Sequence, residues 1–293
     1  MKKTGLILLA AFAFTAAPAG AQTLYFQNGD VEWGEVTLSG TNLQRKIKRP
    51  DGSEAIQSIP AANVIRVSWP YPQELQDALQ LILKQKYDEA LAKATTVRDI
   101  HQNWKDKPGS WYVPATLLAV ECHIRKNNAA ETDKILTELR NMALTGPFQI
   151  GLAMMEALES FQKDMVGPAL AKAEPLVKGA DDSPTLARLY VLLGDIKFKR
   201  EDYTGALDSY LRVPVFFGSQ GALMPVAELG AARSLVRLGR LQDASTAFAR
   251  IIERYKDTPE AAVATTEKED ADKLLSGGPA PAAAEKKPDD AEK

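Results

Sequence analysis

The chain has almost no cysteine: Cys122 is the single one in 293 residues. One thiol excludes an internal disulfide, so apolar burial has to hold the fold even in an oxidising compartment. Histidine is nearly as scarce, with His101 and His123 alone. No C-x2-C, H-x3-H or H-E-x2-H spacing occurs, which removes the common metal centres. A glycine-rich phosphate loop and a G-x-S-x-G turn are missing as well. An excess of one charge is also lacking, since 36 Lys and Arg face 38 Asp and Glu for a net charge of −2. That balance gives no whole-molecule attraction to nucleic acid or to an anionic membrane. Beyond the first residues no apolar run approaches the ~20 residues that span a bilayer.

The few reactive side chains read as structural. Cys122 and His123 are neighbours, and neighbours on a helix point about 100° apart, so they cannot share a proton directly. Cys122 reads as a small apolar residue on a buried face, and His123 as a partly exposed helical residue. His101, just before Asn103 and Trp104, reads as an interhelix packing position. Asp181-Asp182 precedes Ser183-Pro184, where negative charge favours a helix start over acid–base work. We therefore expect no catalytic residues, no metal and no cofactor.

What is present divides into four stretches. Lys2 and Lys3, the apolar run Leu6–Ala17 and the A-x-A site Ala19-Gly20-Ala21 have the layout of a secretory signal peptide, 1–21. Cleavage after Ala21 removes two lysines, taking the charge from −2 to −4. With no cysteine near that site there is no lipobox, so the expectation is a periplasmic or secreted protein. At the other end, 276–293 has no large apolar residue and reads as a disordered tail.

Residues 22–70 alternate. Leu24 and Phe26, then Val36 and Leu38, then Leu43, Arg45 and Ile47 follow a period of two. Pro50-Asp51-Gly52-Ser53 is a turn by composition, and Pro60-Ala61-Ala62-Asn63 a single helical turn. Short strands at such intervals predict a small all-β barrel, and the order of these signals looks SH3-like or Sm-like. The basic run Arg45, Lys46, Lys48 and Arg49 splits between two strand faces, which fits a solvated edge strand better than an anion site. Trp69-Pro70-Tyr71-Pro72 forms the hinge to the helices.

Residues 71–275 repeat a helical unit. Tyr190-x2-Leu193-Gly194, Tyr203 and Ala206-x3-Tyr210 are followed by Ala244-x3-Phe248 and a final helix reading Phe248 through Thr258-Pro259-x-Ala261. Upstream, Ala169-x3-Ala173, the turn Lys126-Asn127-Asn128 and Lys84-Gln85-Lys86-Tyr87-Asp88-Glu89-Ala90 extend the series to about five helical hairpins. This pattern resembles the tetratricopeptide repeat, and its last unit is similar to repeats of bacterial envelope proteins, with Lys256 where proline is usual. The resemblance implies a mainly α fold: a TPR-like α-solenoid of about five helical hairpins, preceded by a small all-β barrel. It implies a non-enzymatic scaffold binding another envelope protein or peptide.

In such repeats the first helices of successive units line the concave side. That places Asp195, Phe198 and Lys199 there from one unit and Arg233, Val236 and Arg237 from the next. Arg233 and Arg237 share a helix face. They either hold a partner carboxylate or stand as exposed charges paired with nothing. Met154, Leu158 and Phe161 form an apolar stripe, read as core packing or as an apolar groove. The competing class is a carbohydrate- or peptidoglycan-binding protein using Trp33, Trp69, Tyr71, Trp104 and Trp111. Oligomeric state has no signal in the sequence.

Overall fold

The computed structural model describes residues 23–277 apart from 30, 34–36, 40, 181 and 182. The expected signal peptide lies outside the described residues, as do Asp181-Asp182 and all of the expected tail but Ser276 and Gly277. The protein is mainly helical, with a few short strands before the helices. It divides into two compact units, one ending at Pro72 but regaining Asp99–Tyr112, the other formed by Gln73–Arg98 and the chain from Val113 onward.

In the first unit six strands run as β1 (Thr23–Phe26), β2 (Val31–Trp33), β3 (Thr37–Ser39), β4 (Asn42–Lys48), β5 (Glu54–Pro60) and β6 (Val64–Ser68). They form two three-stranded antiparallel sheets, ordered β2-β1-β6 and β3-β4-β5. Among the described residues no closed barrel exists. Instead, alternate residues of both sheets, Leu24 and Phe26 from one and Leu43 from the other, meet in one core with Val64, Val67, Trp69 and Trp104. The expected turns are present. Gly52, at φ +82°, closes the β4–β5 hairpin, and Asp51 Oδ1 accepts from the Ser53 amide at 2.9 Å. Ala61–Asn63 make a 3-10 turn before β6.

Two features of this unit depart from the sequence reading. The basic strand β4 is the middle of its sheet, not an edge. Its charges are solvated because alternate side chains of a one-sided sheet face water, and Lys48 stands opposite Glu54 across the β4–β5 pair. Second, Asp99–Tyr112, which periodicity placed among the helices, belongs to the β unit. The Val67 amide donates to the Pro108 carbonyl at 3.0 Å. Gly109 follows at φ +87°, where a Cβ would stand 1.8 Å from the Val67 carbonyl oxygen. Only glycine allows that approach.

Eleven helices follow among the described residues: α1 (Gln73–Leu83), α2 (Tyr87–His101), α3 (Tyr112–Arg125), α4 (Ala129–Arg140), α5 (Pro147–Gln162), α6 (Val166–Ala173), α7 (Ser183–Lys199), α8 (Tyr203–Phe216), α9 (Met224–Arg237), α10 (Leu241–Arg254) and α11 (Pro259–Leu275). The break between α10 and α11 corrects the single final helix read from the sequence. Thr258 caps α11, its hydroxyl accepting from the Ala261 amide at 3.2 Å, and Pro259 occupies the first turn, where no amide is needed.

One link joins each odd helix, from α1 to α9, to the next. Three residues separate the helices, and the middle one is left-handed: Gln85, Asn127, Asp164, Glu201 and Gly239, with φ between +54° and +74°. The amide after it donates to the carbonyl five residues back, Lys86 to Leu81, Asn128 to His123, Met165 to Ser160, Asp202 to Lys197 and Arg240 to Leu235, at 2.9–3.0 Å. This bond is the longer one of a Schellman motif, which satisfies a helix-end carbonyl. Five residues beyond the left-handed residue stands a small, buried side chain every time: Ala90, Thr132, Ala169, Ala206 and Ala244, all at most 3% exposed. Four further on, the residue is again buried: Ala94, Leu136, Ala173, Tyr210 and Phe248.

The tightest packing surrounds Tyr210. A Cβ on Gly194 of α7 would come within 2.5 Å of its ring, and so would one on Gly230 of α9. The ring of α8 therefore sits between two glycines from the helices on either side. Leu193, beside Gly194, is buried as well. Gly194 was read as a close helix crossing; the structure identifies the side chain that requires it and adds Gly230.

Candidate functional site: a cavity lined by the odd-numbered helices

The shared link gives every hairpin the same register. Counting six residues back from each left-handed residue gives Leu79, Glu121, Leu158, Asp195 and Arg233. All five line one cavity of about 790 Å3. Within the helical unit α5 touches α7, α7 touches α9 and α9 touches α11, so these four helices form a continuous wall. α1 reaches the 3-10 turn Gly221–Leu223 ahead of α9, with Leu83 packed among Ala187, Val213, Leu223 and Ala227. The even helices α4, α6 and α10 contribute nothing to the lining among the described residues, α2 contributes only Tyr87 and α8 only Tyr210.

Charge inside the cavity is concentrated on α3, α7 and α9. Glu121 is 3% exposed, and Arg188 pairs with it directly. Burial pushes the Glu121 carboxyl up, but Arg188 and Arg125 outweigh burial and hold it below the usual carboxylate range. Asp195 shows the opposite balance. Burial raises its pKa further than the Tyr210 hydroxyl bond, at 2.6 Å, and the nearby Arg125 and Arg233 lower it. The same burial, with the Asp195 charge, raises the Tyr210 phenol far above its ordinary value.

The residues expected on the partner surface part company here. Asp195, Phe198, Lys199 and Arg233 line the cavity; Val236 and Arg237 do not. Val236 packs instead against the core of α9–α11 with Phe248 and Ile251. Arg233 holds Glu267 of α11 in a fork, Nε at 2.9 Å from both oxygens and Nη2 at 2.6 Å from one. Arg237 donates to the Tyr203 hydroxyl, and its guanidinium lies 4.8 Å over the same ring. Neither arginine is the unpaired charge considered above. Lys199 pairs with Asp164 at 2.7 Å and stands 5.2 Å from the Phe161 ring centre. Phe198 meets Tyr203 edge-on at 5.3 Å.

Met154, Leu158 and Phe161 combine both readings offered for them. Met154 and Leu158 are buried, yet all three border the cavity. Sequence reasoning missed Glu121, Arg125 and Arg188. Glu121 and Arg125 were within reach of the repeat register, since they match Asp195 and Lys199. Arg188 pairs with Glu121 across 67 positions, a match that only the folded chain creates.

Of the groups that could have suggested chemistry, Cys122 and His101 are buried. Cys122 is fully buried, and burial pushes its thiol up to about 12, so it carries no thiolate at neutral pH. Burial lowers His123. His101 is 2% exposed, lies edge-on to Trp69 at 4.6 Å and is lowered by burial to about 4. Among the described residues no group of three His, Cys, Asp or Glu could hold a metal, and no helix is long and apolar enough to cross a membrane.

No family model matches the chain, and no curated protein matches it.

Proposed function

We propose that this protein is an exported, non-enzymatic scaffold of the tetratricopeptide kind. Its hairpins stack as an α-solenoid whose odd helices receive a segment of another envelope protein. The observation that carries this reading is the common register: the same position of all five hairpins faces one cavity. A row of equivalent side chains along one hollow suits an extended partner better than a small reactive substrate. The link, the small crossing residue and the buried position four beyond it support the tetratricopeptide resemblance. Of the ordered signals behind its SH3-like resemblance, the β unit keeps the helical turn Ala61–Asn63 before its last strand. Export to the periplasm follows from the N-terminal signal pattern.

The carbohydrate reading loses two of its five rings. Trp69 and Trp104 belong to the core of the β unit, and a buried ring offers no face to a sugar. Tyr71 is exposed but leans edge-on against Trp111 at 5.1 Å.

The test is site-specific photocrosslinking of the full chain in cells. A photoreactive residue at Val226, which lines the cavity, is expected to trap a discrete protein. The same residue at the exposed Arg250 of α10 is expected not to. Equal trapping at both positions, or none at Val226, would end the proposal.

A further inference from the structure

Resting on that reading, we propose the chemistry of the partner segment: an internal Asp or Glu flanked by apolar residues, its carboxylate received by Arg125. The arginines assigned from the sequence are already occupied, Arg233 by Glu267 and Arg237 by Tyr203. Lys199 is held by Asp164, and Arg188 by Glu121. Arg125 differs from these. Its Nε is buried and bonds nothing among the described residues. Its carboxylate contact is Glu121 Oε1, 3.8 Å from Nη2, beyond hydrogen-bond range and shared with Arg188. Asp195, on the facing helix, already takes the Tyr210 hydroxyl on Oδ1.

The ion pairs of the cavity favour an anion at Arg125. Arg188, Lys199 and Arg233 each have a carboxylate within hydrogen-bond range. Arg125 has none among the described residues. The Arg125 side chain is 33% exposed, and a guanidinium without a close carboxylate is built to accept one. Leu79 of α1 and Met154, Leu158 and Val191 of α5 and α7 supply apolar wall around it. Lining residues come from α1 before α3 and from α5 after it in the hairpin order, so a seated segment has chain on both sides of its acid. An internal side chain meets that geometry better than a chain end.

The probe is an array of end-blocked peptides with Glu, Gln or Lys at the centre and Leu, Met, Phe or Ser on each side, incubated with the full chain. Glu-centred peptides with apolar flanks are expected to be retained about 10- to 100-fold better than their Gln counterparts, the worth of one charge-assisted bond. Arg125→Gln should bring that ratio to about one, while Arg125→Lys, which keeps the charge and loses the fork, should leave a smaller preference. If circular dichroism shows Arg125→Gln unfolded, the reduced ratio of Arg125→Lys carries the test. Equal retention of Glu and Gln peptides by the unsubstituted chain would overturn the assignment. So would a ratio unchanged by either substitution, retention only of peptides with a free C-terminal carboxylate, or binding of dodecanoate with no peptide retained. A crosslink at Val226 that persists while the array shows no acid preference removes this assignment alone; loss of the crosslink removes the reading beneath it.

Discussion

The β unit fills its centre with rings, whereas the helical unit fills its crossings with nearly nothing. Around Trp69 the neighbours are Trp104 at 5.5 Å and His101 at 4.6 Å, all three buried. Around Tyr210 the neighbours are Gly194 and Gly230, chosen for lacking a side chain. The first arrangement gathers unlike residues from just after β6, the end of α2 and the turn after it, so no period announces it. The second recurs at fixed distance from a recurring link. A repeat can afford only small residues at a crossing, because one backbone geometry must serve every unit. A single-copy core has no such constraint.

The two units can be set against each other experimentally, because all four tryptophans fall between Trp33 and Trp111. Tryptophan fluorescence therefore reports the β unit and its excursion, while circular dichroism reports mostly the helices. The largest expected effect is Phe248→Ala. Its side chain is fully buried, and truncation should cost the helical transition about 3–5 kcal/mol. A helical midpoint in urea that does not move would show that the α9–α11 core does not depend on this ring.

Next comes pH. His101 binds its proton near 6.5 when unfolded and near 4 when folded, so the unfolded chain protonates first as pH falls. Stability of the tryptophan-reported transition is therefore full above about pH 6.5 and declines toward pH 4, by up to roughly 3 kcal/mol. In His101→Leu that slope should flatten. An identical slope in both proteins would assign the pH dependence to other groups.

Smaller again is Gly194→Ala. The added methyl meets the Tyr210 ring, and overpacking should destabilise the helices by about 1–3 kcal/mol. Shrinking the ring in the double variant Gly194→Ala with Tyr210→Leu should recover part of that loss. Strictly additive losses would mean that the two sites are not in contact. The smallest effect belongs to Arg237→Ala, which loses an exposed hydrogen bond and a cation–ring contact worth at most about 1 kcal/mol. Partner capture at Val226 should survive it, since Arg237 lies outside the cavity. Loss of capture in this variant would restore it to the partner surface.

How much was legible follows the same division. The helical hairpins announced themselves through small residues and polar links, and Ala206, Ala244 and Phe248 occupy the buried positions expected of them. The β unit was legible as strands but not as sheets. Alternation names which residues face inward, yet pairing partners depend on contacts far along the chain, so β4 was read as an edge. The site was half legible. Asp195 and Arg233 followed from the register, but Glu267 lies on α11, outside the repeat, and its hold on Arg233 has no periodic mark. The place of Arg125 was within reach of the register, but its unmet bond was hidden, because an unmet bond is a property of neighbours and not of the residue.

The five links also bear on how such a chain could change length. Each ends one helix and launches the next through the same left-handed residue and the same five-residue bond, so cutting from one such residue to another excises a whole hairpin and joins like to like. Duplication or loss of a unit then leaves the splice unstrained and alters only the number of hairpins.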